Sequence, residues 1–233
     1  MLKGLQTILI TLAICAGTVW AGDLEDGYAA YVKNDFATAL KKYKSAATQG
    51  NAGAQFSLGQ MYRNGQGVVQ DYAEAVRWYK LAAEQGYANP QTNLGLMYDN
   101  GYGVVQDYTE AVRWFKLAAA QGNAVAQFNL GNMYDNGHGV VQDYAEAVRL
   151  YKLAAAQGDA SAQTNLGVMY GKGQGVVQDY MRAHMWWNLA AVTGDKNAVK
   201  NRDIAATLMT SQQVAEAQKL ARQCQARNFK NCD

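Results

Sequence analysis

Proline is almost absent: Pro90 is the single one in 233 residues. The residue that breaks helices is therefore missing, and long helical stretches are unhindered. Histidine is nearly as scarce, with only His138 and His184. Metal centres and acid–base pairs need convergent partners, which two isolated histidines do not supply. No Cys-x-x-Cys, His-Glu-x-x-His, Walker loop or dinucleotide fingerprint occurs. Gly65-x-Gly67 is not a phosphate loop, because it lacks the lysine and the preceding strand. The sequence thus offers no catalytic residue, no metal ligand and no cofactor site. Charge of one sign is lacking too: the formal net charge is +2. That excludes an electrostatic footprint for nucleic acid or anionic lipid.

Long apolar runs are also missing, apart from the start. Thr7 to Ala16 (TILITLAICA) follows a short basic beginning with Lys3. The stretch is shorter than the ~20 residues a spanning helix uses. Val19 and Ala21 place small residues three and one before Gly22, so residues 1–21 are expected to be a signal peptide cut after Ala21. The competing reading is an uncleaved anchor. Cleavage removes one charge and leaves +1. The mature chain is expected to be periplasmic or secreted, monomeric, and not inserted in a membrane.

Only three cysteines are present. Cys15 leaves with the signal. Cys224 and Cys232 remain, and in an oxidising compartment they most simply pair. In a reducing compartment they stay as free thiols.

What is abundant is glycine, 23 residues, and it is regularly placed. Gly59, Gly95, Gly131 and Gly167 fall 36 residues apart. Around them lie SLGQMYRNGQGVVQDYAEAVRWYKLAAEQG (57–86) and three close copies ending at residues 122, 158 and 194. The expected domains are 1–21 signal, 22–50 an N-terminal capping helix pair, four repeats (51–86, 87–122, 123–158, 159–194), and capping helices with a disulfide-tied tail over 195–233.

Each repeat predicts helix A, a loop and helix B. Asn51 caps helix A, whose stripe is Ala54, Leu58, Met61 and Tyr62. Gly65 ends it, and Val68 and Val69 are expected to tuck between the helices. Asp71 with Glu74 reads as a capping box, repeated as Asp107/Glu110 and Asp143/Glu146, with Asp179 capping alone. Ala75, Tyr79, Ala82 and Ala83 line the inner face of helix B. In the second repeat Asn89 is expected to cap, with Pro90 at the first helical position. A glycine mid-helix costs about 1 kcal/mol. Four of them imply close backbone approach of helices A and B beside Ala54, Ala75 and Ala82. Thr210 with Gln213 starts a last helix. Stacked hairpins of this kind form a solenoid, since one hairpin cannot bury its faces alone.

The pattern Ala-x-x-x-Leu-Gly-x-x-Tyr-x-x-Gly-x-Gly-Val, then Asp-x-x-x-Ala and Ala-Ala-x-x-Gly, resembles the Sel1-like repeat family, relatives of tetratricopeptide repeats. The resemblance covers Asp23 to about Arg222. It implies an all-α, right-handed α/α superhelical solenoid of helix–loop–helix repeats. It also implies a non-enzymatic adaptor for protein contacts, often in the bacterial envelope. A cysteine-rich branch of the family is associated with β-lactam binding and weak hydrolysis, which is the alternative reading. Ser45, Ser57, Ser161 and Ser211 are each followed three residues on by Thr48, Gln60, Thr164 and Val214, so no Ser-x-x-Lys exists. Nor do these repeats carry cysteine pairs.

By the resemblance, helix A lines the concave face, the usual binding surface of a solenoid. Ser57, Asn93, Asn129 and Asn165 recur there, with Gln60, Leu96, Asn132 and Val168 three residues on. Asn93, Asn129, Asn132, Asn165 and Gln60 are the candidate partner-binding residues. An amide offers donor and acceptor together, and so grips the backbone of an extended peptide whatever its sequence. The competing role is a solvated position or a bond to a neighbouring helix. Arg77, Arg113 and Arg149, three after a glutamate, read as a solvated outer face. His138 reads as a variable loop residue, and His184 with Trp78, Trp114, Trp186 and Trp187 as packing.

Overall fold

The computed structural model describes residues 22–230 and 232. The expected signal segment, Cys15 included, lies outside the described residues. Twelve helices and no strand occur among the described residues: α1 (22–32), α2 (Phe36–Thr48), α3 (Ala52–Asn64), α4 (Tyr72–Glu84), α5 (Ala88–Asn100), α6 (Tyr108–Ala120), α7 (Ala124–Asn136), α8 (Tyr144–Ala155), α9 (Ala160–Lys172), α10 (Tyr180–Ala191), α11 (Lys196–Thr207) and α12 (Ser211–Ala226). The expected helix–loop–helix repeat is thus present. Two compact units divide the chain after Gln106. The N-terminal unit holds α1 to α5 and the C-terminal unit holds α6 to α12.

Helix ends follow the sequence closely. Asn51 Oδ1 accepts from the Ala54 amide, and Asn123 and Asp159 cap α7 and α9 in the same way. Gly65 closes α3 at φ +68°, a left-handed cap that glycine adopts without steric cost. Thr210 and Gln213 form a full capping box on α12.

The glutamates of helix B are not box partners. Asp71 and Asp143 accept from the amides of Glu74 and Glu146, but their own N–H groups donate to Tyr62 O and Tyr134 O at 2.9 Å. The loop folds back on helix A and consumes the donor that the glutamate would need. Glu74, Glu110 and Glu146 instead pair with Arg77, Arg113 and Arg149 at 2.7–3.0 Å on the exposed side.

Three further expectations are corrected. α5 starts at Ala88 with Tyr87 as a cap without a side-chain bond; Asn89 and Pro90 lie inside the first turn. Proline is tolerated there because first-turn amides have no intrahelical partner. Val69 does not tuck in: it is 89% exposed, and Val105, Val141 and Val177 match it, while Val68 is half-buried. Extended loop residues point alternately, so only one valine of each pair faces inward. The backbone approach expected at the mid-helix glycines holds only in part: Ala75 O would lie 3.3 Å from a Cβ at Gly59, but the nearest atoms at each described site belong to a ring. Gly59 receives the ring of Tyr79, Gly131 that of Tyr151 and Gly167 that of Trp187.

Each unit has its own core. In the N-terminal unit Tyr43, Ala46 and Ala47 of α2 pack with Leu58 and Met61 of α3 and with Trp78 of α4. In the C-terminal unit Tyr151, Leu166, Met169, Trp186, Trp187, Ala198 and Cys224 form one apolar body. Cys224 and Cys232 are bonded, with Cα atoms 5.0 Å apart, and Phe229 packs against that body.

Buried glutamines link successive hairpins, a feature not expected from the sequence. Gln55, Gln91, Gln127 and Gln163, again 36 apart, are all buried. Gln127 Nε2 donates to Ala119 O at 3.3 Å, and its Oε1 accepts from Gln157 Nε2 at 2.8 Å. Gln55 does the same with Ala47 O and Gln85. Paired buried amides avoid the desolvation cost of unpaired ones; Gln163 is the exception, its Nε2 buried without a hydrogen-bond partner.

Candidate functional site

Within the C-terminal unit, α7, α9 and α11 are the successive A helices. Positions 129, 165 and 201 bear asparagine; positions 132, 168 and 204 bear Asn132, Val168 and Ile204; positions 136, 172 and 208 bear Asn136, Lys172 and Leu208. Thus one helix face changes from amides on α7 to apolar side chains on α11.

Two of the candidate amides meet. Asn165 Nδ2 donates to Asn132 Oδ1 at 3.0 Å, and the Tyr151 hydroxyl donates to the same oxygen at 2.7 Å. Asp135 Oδ2 lies 3.3 Å from that hydroxyl. Burial pushes the Tyr151 phenol up, and the Asp135 charge adds to it. Asn129 Nδ2 donates to Val125 O of its own helix at 2.7 Å, leaving its oxygen free. Asn129, Asn132, Asn165 and Asn201 are all half-buried. The bond to a neighbouring helix therefore takes Asn132 Oδ1, while Asn129 Oδ1 and the Asn201 amide make no bond to another helix.

In the N-terminal unit Gln60 and Ser57 line a cleft of about 160 Å³ with Tyr28, Tyr31 and Tyr43. Gln60 and Asn93 are half-buried and make no bond among the described residues.

Sequence reasoning missed Asn201, Ile204 and Leu208, which continue the 36-residue rows. The signal was present, since each falls 36 residues after Asn165, Val168 and Lys172. Val168, Lys172, Trp187, Ile204 and Leu208 surround a second cleft of about 200 Å³. Ile204 and Leu208 are 51% and 57% exposed.

The remaining sequence candidates are structural. Trp78, Trp114, Trp186 and Trp187 are buried, as is His184. His138 stacks on Tyr108 with centroids 4.6 Å apart. Burial and the Arg202 charge lower the His184 pKa, against a smaller opposing effect of Asp203. No group of three or more His, Cys, Asp or Glu side chains suited to a metal occurs among the described residues.

The family model described as Sel1 repeat matches residues 22–51, 52–87, 91–123, 124–159 and 160–191. Its first match covers the segment expected as an N-terminal cap. No curated protein matches the chain. Among solved structures, a protective antigen present in uropathogenic Escherichia coli strains and displaying an SLR fold is 36% identical, with a TM-score of 0.77. That match covers 84% of this chain but 42% of the antigen, so the chain spans less than half of its length. A Sel1 repeat protein from Oxalobacter formigenes is also 36% identical, with a TM-score of 0.69 over 74% of this chain and 71% of that one. A putative Sel1 repeat protein from Klebsiella pneumoniae subsp. pneumoniae, at 22% identity and a TM-score of 0.51, covers 80% of this chain and 93% of its own and shares the fold. With a family model matching well over half of its residues and two 36%-identical structures behind it, the chain belongs to the Sel1 repeat family.

Proposed function

We propose that this protein is a non-enzymatic scaffold of the bacterial envelope that holds a protein partner as an extended segment along its helix-A face. The observation that carries the reading is the row Asn129, Asn165 and Asn201, one half-buried amide at the same height on successive A helices. Amides spaced along a face can meet the N–H and C=O groups of an extended backbone in turn. Asn93 and Gln60 supply the same groups in the N-terminal unit.

The envelope assignment rests on residues 1–21 as a cleaved signal and on the bonded Cys224–Cys232 pair, which suits an oxidising compartment. Among the described residues no helix is long and apolar enough to cross a membrane.

The test is crosslinking of the full chain in its native cells, followed by mass spectrometry. Asn129→Ala with Asn201→Ala is the informative variant, because neither residue bonds another helix. Capture of the partner should fall while the melting temperature holds. Unchanged capture would discard the helix-A face as the binding surface.

A further inference from the structure

The fourth repeat departs from the others at one corner of the helix-A face. Where the first three repeats carry Asn64, Asn100 and Asn136, the fourth carries Lys172. Where the second and third carry Asp99 and Asp135, it carries Gly171. Where the third carries Asn132 it carries Val168, and where the first and third carry Tyr79 and Tyr151 it carries Trp187. A carboxylate is lost, an ammonium is gained and an amide becomes an isopropyl group, all within one side of one hairpin.

The consequence is the cleft of about 200 Å³ among α9, α10 and α11. Gly171 keeps it open: a Cβ there would lie 3.1 Å from Trp187 Cη2. The six-membered edge of the Trp187 indole forms the floor, and its Nε1 is occupied by a bond to Thr164 O at 3.1 Å. Val168, Tyr180, Ile204 and Leu208 form the walls, and the exposed Lys172 stands at the rim. No carboxylate lines the cleft, and Lys172 has no ion-pair partner among the described residues.

Size and charge together select the occupant. Pockets for cofactors and drug-sized ligands are about 300–1,000 Å³, so this one suits a single side chain. Its walls demand that the side chain be large and apolar. The ammonium beside it, in no ion pair and with no carboxylate in the lining, is complementary to a carboxylate. Asn201 lines the cleft and Asn165 lies three residues before Val168 on α9, both on the amide row, where they can hold the backbone that carries both groups. We infer that this cleft is the specificity pocket for an extended peptide segment in which a large aliphatic or aromatic residue lies next to an acidic one, the apolar side chain entering over Trp187 and the carboxylate pairing with Lys172. The inference rests on the helix-A face being the peptide-binding surface. It adds what that surface selects.

The experiment uses the full chain and an array of short peptides. Each member carries one large apolar residue, with an acidic, amide or basic residue at the neighbouring positions. Bound members should contain Leu, Ile or Phe beside Asp or Glu. Changing the acid to its amide should weaken binding about tenfold, the size of one charge-assisted hydrogen bond. Lys172→Asn, which restores the residue of the other repeats, should erase that acid preference and keep the apolar one. Leu208→Asp, at an exposed position, should abolish binding of all members at an unchanged melting temperature. An acid preference that survives Lys172→Asn, or binding that survives Leu208→Asp, overturns the inference. Decanoate bound to the full chain where no peptide binds would make the occupant a lipid and also overturn it. Peptides that bind without either preference, and are lost in Asn129→Ala with Asn201→Ala, leave the helix-A reading standing and remove this one. If no peptide binds and crosslinking yields no helix-A contact, both fall.

Discussion

Gly131 is shaped by Tyr151. A methyl group on Gly131 would lie 2.7 Å from Tyr151 Cε1, closer than two carbons can approach. The ring itself is fully buried, and its hydroxyl is held by Asn132. It therefore has no room to withdraw. Gly131→Ala should destabilise the C-terminal unit. Overpacking of this kind costs about 1–3 kcal/mol, against roughly 1 kcal/mol regained in helix propensity. A chemical melt of Gly131→Ala against the parent measures the difference. Equal or higher stability would mean that the glycine serves something other than the ring.

The corrected capping scheme gives an unequal pair of substitutions. Asp143 accepts from the Ala145 and Glu146 amides at 3.0 Å and holds the start of α8. Asp143→Ala should cost about 1 kcal/mol, as for other N-cap losses. Glu146 is bound only to Arg149 on the outer face. Glu146→Gln should cost no more than a few tenths of a kcal/mol, as for exposed ion pairs. A full capping box would make the two losses comparable, so thermal melts of both variants separate the schemes.

The difference between those schemes marks where the sequence stopped being sufficient. The period of 36, the A-helix caps and the inner face of helix B depend on local spacing, and Asn51, Gly65 and Tyr79 occupy their expected places. Asp71 is different. Whether its N–H is free for Glu74 depends on the loop returning to Tyr62, nine residues earlier, which no local rule encodes. The buried glutamines were legible as a repeated residue at 55, 91, 127 and 163. Their burial was not, because glutamine is ordinarily an exposed side chain and its partners lie on other helices. The candidate site was half legible. The amide row was visible by period, but its continuation through Asn201, Ile204 and Leu208 lay in a helix whose Leu166 and Gly167 equivalents, Arg202 and Asp203, obscure the repeat.

His184 gives a pH dependence with a definite sign. It is 2% exposed, and its Nδ1 is buried without a hydrogen-bond partner. Burial and the Arg202 charge hold the imidazole below its ordinary value of 6.5, with Asp203 opposing. Below about pH 6.5 the unfolded chain therefore binds a proton that the folded chain refuses. The unfolded state holds more protons in that window, so stability rises with pH through it and falls on acidification. The carboxylates Asp23, Asp35 and Asp195 are held below 3.8, so their own titration lies beneath the window. Melting temperature should drop between about pH 7 and pH 5 in the parent. In His184→Leu the drop should be smaller. An identical slope in both would remove His184 as its source.

Gln127 and Gln157 form the joint between the hairpin α7–α8 and the turn that precedes it. Gln157 Nε2 donates to Gly122 O at 2.9 Å and to Gln127 Oε1 at 2.8 Å, and Gln127 in turn reaches Ala119 O. Gln127 is buried and Gln157 is exposed. Removing the buried member takes one donor from the Ala119 carbonyl, which keeps the Gly122 amide at 2.9 Å, and leaves a gap where the side chain packed. Gln127→Ala should cost about 1–3 kcal/mol, two lost hydrogen bonds at about 0.5–1.5 kcal/mol each together with the lost packing. Gln157→Ala should cost less, because water replaces its donors at the surface. Residues in one hydrogen-bond network couple by about 0.5–3 kcal/mol, so the double variant should lose less than the two single losses together. Urea melts of the three variants give the coupling directly. Strict additivity would mean that the two amides act separately and that the repeats are joined by apolar packing alone.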